Sequence, residues 1–144
     1  MLVRFASSDD EIGACFPVMQ QLRPRLTPDD FLARVRSQEP AGYRLVYVEI
    51  DGRAVAVAGF RVLETLVSGR FLNVEDLVTL DTERSKGHGT QLLKWLLGRA
   101  RELGCRGLEL DSGVQRKDAH RFYEREGLKV CAYHFEISVG GPTV

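Results

Sequence analysis

The sequence lacks several features that would assign it to common classes of protein. Its three cysteines, Cys15, Cys105 and Cys131, are scattered and form no Cys-x-x-Cys pair, so we expect no zinc site and a reducing compartment. Acidic and basic residues balance at 20 each, so no general basic field indicates nucleic acid or an anionic membrane as a partner. The most apolar run, Ala54 to Phe60, is far too short to span a membrane.

The sequence also lacks signs of secretion and of modular construction. The start MLVRFASSDDE has no signal-peptide profile, because acidic residues follow within a few positions. There is no internal repeat, low-complexity tract or linker, and 144 residues suffice for one domain with a core but not for two ordinary ones. We therefore predict a single domain over residues 1–144, located in the cytoplasm.

The order of apolar patterns along the chain predicts an α/β fold. Strands are predicted at Leu2 to Ala6, Tyr43 to Ile50, Arg53 to Leu63, Leu72 to Leu80, Gly107 to Asp111 and Leu128 to Val139, the last being one strand or a pair. Asp51-Gly52 is a strong hairpin signal between the second and third strands. The capping residues of three helices are predicted at Ser7 or Ser8, at Thr27 and at Asp118.

A glycine-containing turn joins the fourth strand to a long amphipathic helix. The turn runs from Arg84 to Thr90, and the following helix carries an apolar stripe at i, i+3, i+4 spacing. Gly87 and Gly89 allow a sharp turn and a close approach of a ligand to the backbone. The free N–H groups and the dipole of the helix favour an anion here, and Lys86 adds positive charge. This segment therefore predicts a phosphate-binding site.

The turn is neither of two familiar nucleotide-binding loops. No Gly-Lys-Ser/Thr follows the glycines, which excludes a Walker loop. A dinucleotide fingerprint needs a third Gly or Ala, and Leu92 stands at that position. The preceding strand also carries Glu75 and Asp76, whereas a parallel strand buried on both faces should be nearly all apolar.

Two sequence blocks together resemble the GNAT N-acetyltransferase superfamily. Arg84, Gly87 and Gly89 match its acetyl-CoA signature Arg/Gln-x-x-Gly-x-Gly/Ala. The block AHRFYEREGL, from Ala119 to Leu128, is similar to the family's Ala-x-x-Phe-Tyr-x-x-x-Gly-Phe segment. The two blocks in this order are much more specific than either alone, and the resemblance covers the chain from about Tyr43 to Val139.

The resemblance implies both a fold and a cosubstrate. The fold is a mixed, mostly antiparallel sheet of six or seven strands, flanked by about four helices and splayed between the fourth and fifth strands. The cosubstrate is acetyl-CoA, with no metal. The residues expected to bind it are Leu77, Val78, Thr79, Arg84, Ser85, Lys86, Gly87, His88, Gly89, Thr90 and Arg116. The His88 side chain is expected to point outward, since backbone groups make the phosphate contacts. Arg116 stands where many family members have Asn, so it contacts either the cosubstrate or the acceptor.

Acetyl transfer to an amine requires an acid, a base and an oxyanion donor. The family match gives Tyr123 the role of the acid that protonates the leaving thiolate, whereas helical spacing alone would make it a core residue. Glu75 and Asp76 are the candidate bases, with Glu75 preferred, and a solvated or structural role for both stays open. The family usually has a bulge in this strand, which would re-aim these side chains. The N–H of Leu77 or Val78 is the expected oxyanion donor.

Three functions remain open from the sequence. The first is an N-acetyltransferase that acts on the primary amine of a small molecule by direct attack. The second is a protein acetyltransferase that modifies a lysine or an N-terminus, with a peptide as acceptor. The third is a non-catalytic CoA-binding sensor. Neither nucleic acid nor a membrane is expected as a partner, and a homodimer is left open.

Overall fold

The computed structural model describes residues 2–142, which contain five strands and four α-helices. The elements are β1 (Leu2–Phe5), α1 (Asp9–Leu22), α2 (Pro28–Gln38), β2 (Arg44–Ile50), β3 (Arg53–Thr65), β4 (Gly69–Thr79), α3 (His88–Glu102), β5 (Leu108–Leu110) and α4 (Lys117–Arg125). The chain divides into two compact units, the first ending at Glu109 and the second beginning at Leu110. We describe each unit by itself.

The five strands form one sheet in the order β1-β2-β3-β4-β5. The first four are joined by antiparallel pairing, and Asp51 and Gly52 form the β2–β3 turn with φ angles of 51° and 77°. The hairpin prediction is confirmed, because two left-handed residues match the right-handed twist of the flanking strands. An α/β fold with a mixed sheet and four helices is likewise confirmed.

The predicted number of strands is wrong. Six or seven were expected, and the described residues contain five. The difference lies in the segment Leu128 to Val139, which was predicted to form one or two strands and is assigned none. Alternating apolar residues give this segment a strand-like side-chain pattern, but a strand is also defined by a neighbour that accepts its backbone hydrogen bonds.

The first two helices begin as predicted from their capping residues. The Ser8 hydroxyl accepts the Glu11 N–H at 3.1 Å, while the Glu11 carboxylate accepts the Ser8 N–H at 2.9 Å. Thr27 and Asp30 make the same reciprocal pair at the start of α2. These capping boxes satisfy N–H groups that the first helical turn cannot. Pro17 lies inside α1 without ending it.

The core of the first unit is built around β3. Val55, Ala56, Val57 and Ala58 are fully buried, so this strand is covered on both faces as its small apolar residues predicted. Helices α1 and α2 contribute to one cluster with side chains of β2, β3 and β4. On α3, the Trp95 ring lies 6.0 Å from that of Phe60 of β3 in an edge-on arrangement. A strand that is buried this completely gives its neighbour β4 a rigid support.

Strand β5 covers only part of β4. The Arg106 N–H donates to the Arg70 carbonyl at 2.8 Å and the Leu72 N–H donates to the Gly107 carbonyl at 3.0 Å. From the first bond to the second, the residue number increases in both segments, which is typical of parallel pairing. Since β5 has three residues, the second half of β4 has no assigned partner on that side within residues 2–142. The splay predicted between the fourth and fifth strands stays a prediction.

Candidate active site

A bulge in β4 lies at the two predicted bases. Gly59 pairs with Asp76 and the next residue of β3, Phe60, pairs with Val74, so that Glu75 is an additional residue without a cross-strand partner. The expected bulge is therefore confirmed. An extra residue in one strand breaks the strict alternation of faces, so Glu75 and Asp76 are not forced onto opposite sides of the sheet.

Glu75 is held by an ion pair with Arg61 of β3. The Arg61 Nε and Nη2 atoms lie 2.5 Å and 2.8 Å from the two carboxylate oxygens. The Asn73 amide donates to Glu75 Oε2 at 3.3 Å. Arg61 is fixed in turn by the Gln38 side chain and by the ring of Tyr43, whose centroid is 5.6 Å from the guanidinium carbon. The Arg61 Nη2 atom donates a hydrogen bond to Glu75, whereas Nε lies close to the carboxylate without donating one, so the pair is held by charge and a single hydrogen bond.

Asp76 receives hydrogen bonds on both of its oxygens. The Tyr43 hydroxyl donates to Oδ2 at 2.7 Å, and Arg23 donates to Oδ1 from Nε at 3.1 Å and from Nη2 at 2.9 Å. Arg23, which caps the end of α1, also donates to the Glu75 carbonyl at 2.9 Å. Burial and, next, the Asp76 charge raise the pKa of Tyr43 well above its usual range, so the phenol stays protonated and donates.

Gly59 makes room for the Tyr43 side chain. A Cβ atom at this position would overlap the Tyr43 hydroxyl and would lie 2.6 Å from Asp76 Oδ2. The phenol can therefore cross the β3 backbone and reach the carboxylate only because residue 59 has no side chain. A glycine inside a strand often marks a close approach of this kind.

Replacing Gly59 with alanine is expected to lower the free energy of unfolding by about 2–4 kcal/mol, since it combines overpacking with loss of a charged hydrogen bond. Chemical denaturation measures this change. Gly98→Ala is the matched control, because a Cβ there would meet no atom within 4 Å, and it should stabilise α3 slightly. In a Tyr43→Ala background, Gly59→Ala should lower the free energy of unfolding by a clearly smaller amount. Equal losses in both backgrounds would contradict the steric argument.

The free edge of β4 presents the main chain of Leu77. The Leu80 N–H donates to the Val55 carbonyl at 2.8 Å, so the alternation of an antiparallel ladder directs the Val78 N–H toward β3 and the amides of Leu77 and Thr79 away from it. Accordingly, the Thr79 carbonyl accepts the Gln21 side-chain amide at 2.9 Å. Of the two predicted oxyanion donors, Leu77 has the N–H that faces away from β3.

The predicted phosphate turn lies at an uncapped helix N-terminus. Gly87 occupies the N-cap position with a φ angle of 85°, and no side chain caps α3. Its first turn holds no acidic residue, and the N–H groups and dipole at a helix start favour an anion. Ser85 also has a positive φ angle, 63°. An uncapped helix start after a glycine turn is the feature from which phosphate binding was predicted, and that binding stays a prediction.

Glu83 organises the side chains of this turn. Its carboxylate accepts hydrogen bonds from Lys86 at 2.7 Å and from Arg53 at 3.0 Å, and His88 Nε2 lies 3.9 Å away. The hydrogen bond from Lys86 is the main cause that lowers the pKa of Glu83. Arg84 pairs with Asp81 at 2.7 Å, with both side chains more than 60% exposed.

The predicted outward orientation of His88 is wrong. The side chain is only 3% exposed, because the residue is the first of α3 and its ring turns toward the interior beside Glu83. The buried imidazole therefore fixes the helix start and is not a solvated side chain.

The second unit carries Tyr123 and Arg116. Tyr123 lies on α4, is 9% exposed and packs edge-on against Phe122 with ring centroids 5.7 Å apart. Arg116 occupies the N-cap position of α4 without a side-chain capping bond. Asp118, predicted to be the cap, lies in the first turn instead and pairs with Arg121. The His134 ring lies 3.3 Å from the Asp111 carboxylate.

Several residues of the site were missed by the sequence prediction. Among them are Gln21, Arg23, Tyr43, Gly59 and Arg61. Of these, Gly59 carried a readable signal, since a lone glycine interrupts an otherwise apolar strand. The others are ordinary polar or aromatic residues, and they become recognisable only when folding brings them to the bulge.

Neither a group of metal-ligating side chains nor a membrane-spanning helix is found among the described residues. No group of three or more His, Cys, Asp or Glu side chains among residues 2–142 is arranged to hold a metal ion. None of the described helices has the length and apolar character that a membrane span requires.

Comparison with known proteins assigns the family. Residues 9–128 match the Acetyltransferase (GNAT) family. The chain is 33% identical over 135 residues to the uncharacterized N-acetyltransferase YhdJ of Bacillus subtilis, covering 92% of this chain and 95% of that one. It is 42% identical over 62 residues to the aminoalkylphosphonate N-acetyltransferase of Salmonella typhimurium, covering 43% and 40%.

A solved structure shares the fold. An aminoglycoside N-acetyltransferase in complex with CoA superposes with a TM-score of 0.86 at 17% identity, covering 97% of this chain and 95% of that one. These matches and the fold define an acyltransferase of the N-acetyltransferase type. The chain belongs to the acetyltransferase (GNAT) family.

Proposed function

We propose that the protein transfers the acetyl group of acetyl-CoA to the primary amine of a small molecule by direct attack. The observation that carries the proposal is the bulge, which places two carboxylates at the half of β4 that β5 leaves unpaired. We further propose that residues 1–144 form one catalytic domain, acting in the cytoplasm, and that two copies of the chain assemble.

The pyrophosphate of acetyl-CoA is proposed to bind at the start of α3. The uncapped N–H groups of His88, Gly89 and Thr90 fit its charge, and Lys86 lies in the same turn. The Leu77 N–H is proposed to stabilise the developing oxyanion, since it faces away from β3. The Thr79 carbonyl already accepts a hydrogen bond from the Gln21 side chain. We therefore propose that Thr79 contacts the pantetheine arm of acetyl-CoA through its N–H.

Glu75 is proposed as the base. An alkylamine has a pKa near ~10 and arrives protonated, so a group at the site must accept a proton. The Glu75 side chain is 27% exposed and that of Asp76 is 14% exposed, and both Asp76 oxygens already accept bonds from Tyr43 and Arg23. Glu75 is therefore better placed to pass a proton through water, while Asp76 holds α1, β2 and β4 together.

Tyr123 is proposed as the acid that protonates the leaving thiolate. A phenol is a weak acid of suitable strength for this step, because thiols have a pKa of about 8.5 and phenols of about 10. Its position in the Phe-Tyr pair of the second sequence block supports the role. Arg116, at the start of the same helix, is proposed to contact the cosubstrate or the acceptor.

The charges at the bulge support an acceptor that carries both an amine and an anionic group. Arg23 and Arg61 balance Glu75 and Asp76, so the cluster has no excess negative charge to attract a polycation. The relative named for aminoalkylphosphonates supports the same class of acceptor. We therefore propose an amphoteric primary amine as substrate.

An amine panel with detection of free thiol tests the function. The panel contains aminoalkylphosphonates, amino acids, polyamines, aminoglycosides and lysine peptides. Acetyl-CoA turnover with a small amine, and most rapidly with an amphoteric one, is the expected result. Turnover with peptides alone would indicate a protein acetyltransferase. Binding of acetyl-CoA without consumption by any amine would indicate a CoA sensor, and either result would overturn the proposal.

Replacing Gly89 with aspartate is expected to abolish the thermal stabilisation of the protein by acetyl-CoA. The new carboxylate places a side chain and a negative charge at the phosphate position. Thermal unfolding with and without saturating acetyl-CoA measures the effect. Gly98→Asp, later in the same helix, is the control and should retain the full ligand-induced shift. An undiminished shift in Gly89→Asp would contradict binding at this turn.

A further inference from the structure

The side chain of Gln21 occupies the position of a strand neighbour at the end of β4. Its Nε2 atom donates to the Thr79 carbonyl at 2.9 Å, and its Oε1 atom accepts the Asp81 N–H at 2.9 Å. In an antiparallel ladder one residue exchanges both hydrogen bonds with a single opposite residue, whereas in a parallel ladder its two bonds go to two residues of the partner strand. The amide of Gln21 therefore reproduces one residue of a parallel strand, with Leu80 between its two contacts.

A second side chain from the end of α1 contacts the same half of β4. Arg23 donates to the Glu75 carbonyl at 2.9 Å, and Gln21 binds the Thr79 carbonyl further along the strand. Leu77, the proposed oxyanion donor, lies between these two contacts in the sequence. The end of α1 therefore holds β4 both before and after the residue that is proposed to face the reacting thioester.

Hydrogen bonds continue from the contacts of Gln21 to the glycine turn before α3. The Leu80 carbonyl accepts the Glu83 N–H at 2.8 Å, at a single 3-10 turn over Asp81–Glu83. The Glu83 carboxylate accepts a hydrogen bond from Lys86 at 2.7 Å. The position of the glycine turn relative to β4 therefore depends on how β4 ends, and Gln21 holds that end on the side away from β3.

We infer that Gln21 is a positioning residue for acetyl-CoA. One ligand has to reach both the Leu77 N–H and the N–H groups at the start of α3, so its affinity depends on the spacing between these two sites. Gln21 acts on that spacing through the main chain of Thr79 and Asp81, without contact to the ligand. This inference rests on the proposed binding of acetyl-CoA and adds a residue of α1 to it.

Replacing Gln21 with methionine tests this role. Methionine has a similar length and helix propensity but makes neither of the two hydrogen bonds. The dissociation constant of acetyl-CoA, measured by isothermal titration calorimetry, is expected to rise about tenfold. Gln20→Met is the matched control, because it makes the same substitution at the preceding residue of α1, whose side chain is exposed. This control should bind acetyl-CoA as tightly as the wild type.

Two further measurements separate positioning from a general loss of stability. Ser8→Ala removes a capping bond at the opposite end of α1, so it should lower the melting temperature without changing the dissociation constant measured well below the transition. Hydrogen exchange followed by NMR reports the contact itself. The Asp81 amide should exchange faster in Gln21→Met than in the wild type and at the wild-type rate in Gln20→Met.

The outcomes distinguish this inference from the proposed cosubstrate site. Wild-type affinity in Gln21→Met, an equal loss of affinity in Ser8→Ala or Gln20→Met, or unchanged exchange of the Asp81 amide in Gln21→Met would overturn the role of Gln21 and leave the cosubstrate site standing. A wild type that does not bind acetyl-CoA would overturn the cosubstrate site, and with it this inference.

Discussion

Replacing Tyr123 with phenylalanine is expected to lower kcat by about 10²–10⁴-fold, which is the usual contribution of a positioned general acid. The substitution removes one hydroxyl and keeps the ring, so the packing against Phe122 is retained. The dissociation constant of acetyl-CoA should stay unchanged, because the N–H groups proposed to hold the pyrophosphate belong to the turn before α3.

Pre-steady-state kinetics measure the rate of acetyl transfer, and isothermal titration calorimetry measures the dissociation constant of acetyl-CoA. Together the two measurements separate an effect on catalysis from an effect on binding. Tyr133→Phe is the matched control, since it removes the same hydroxyl from a side chain that is 82% exposed, and it should keep wild-type turnover. If Tyr123→Phe also keeps full turnover, the acid role is excluded and Tyr123 is a core residue.

Replacing Glu75 with glutamine is expected to lower kcat/KM for the amine by about 10²–10³-fold, with a loss of stability limited to that of the ion pair with Arg61. The amide keeps the size of the side chain but cannot accept a proton at neutral pH. Because Glu75 is the additional residue of the bulge, the β3–β4 ladder does not depend on it. Steady-state rates over a range of amine concentrations measure kcat/KM, and chemical denaturation of the same variant measures its stability.

Asp76→Asn is the comparison that decides between the two carboxylates. Asp76 joins Tyr43 to Arg23, so its neutralisation should lower the free energy of unfolding by about 1–3 kcal/mol. Activity should fall less than in Glu75→Gln. The reverse order, with Asp76→Asn inactive but stable, would assign the base to Asp76.

Short sequence patterns predicted those features of the fold that depend only on neighbouring residues. The capping boxes at Ser8 and Thr27 and the turn at Asp51-Gly52 each depend on side chains within three residues of the feature they stabilise. The glycine turn before α3 is of the same kind. Such features can be read from neighbouring residues because their hydrogen bonds and φ angles involve only those residues.

Features that depend on distant residues could not be read in this way. The alternation after Leu128 predicted a strand, but whether a strand forms depends on a neighbour that the pattern does not specify. The partners of Asp76 are 33 and 53 positions away in the sequence, so nothing near residue 76 indicates Tyr43 or Arg23. His88 was misjudged because its surroundings come from the packing of α3.

The bulge has a consequence for how this activity could be lost. Glu75 is an insertion with respect to β3, since Gly59 and Phe60 are consecutive while their partners Asp76 and Val74 are not. Deleting that single residue would let the ladder run uninterrupted from Gly69 to Thr79, with every other pair unchanged. With Glu75 as the proposed base, the deletion of one codon would remove the base and keep the pairing of β3 with β4.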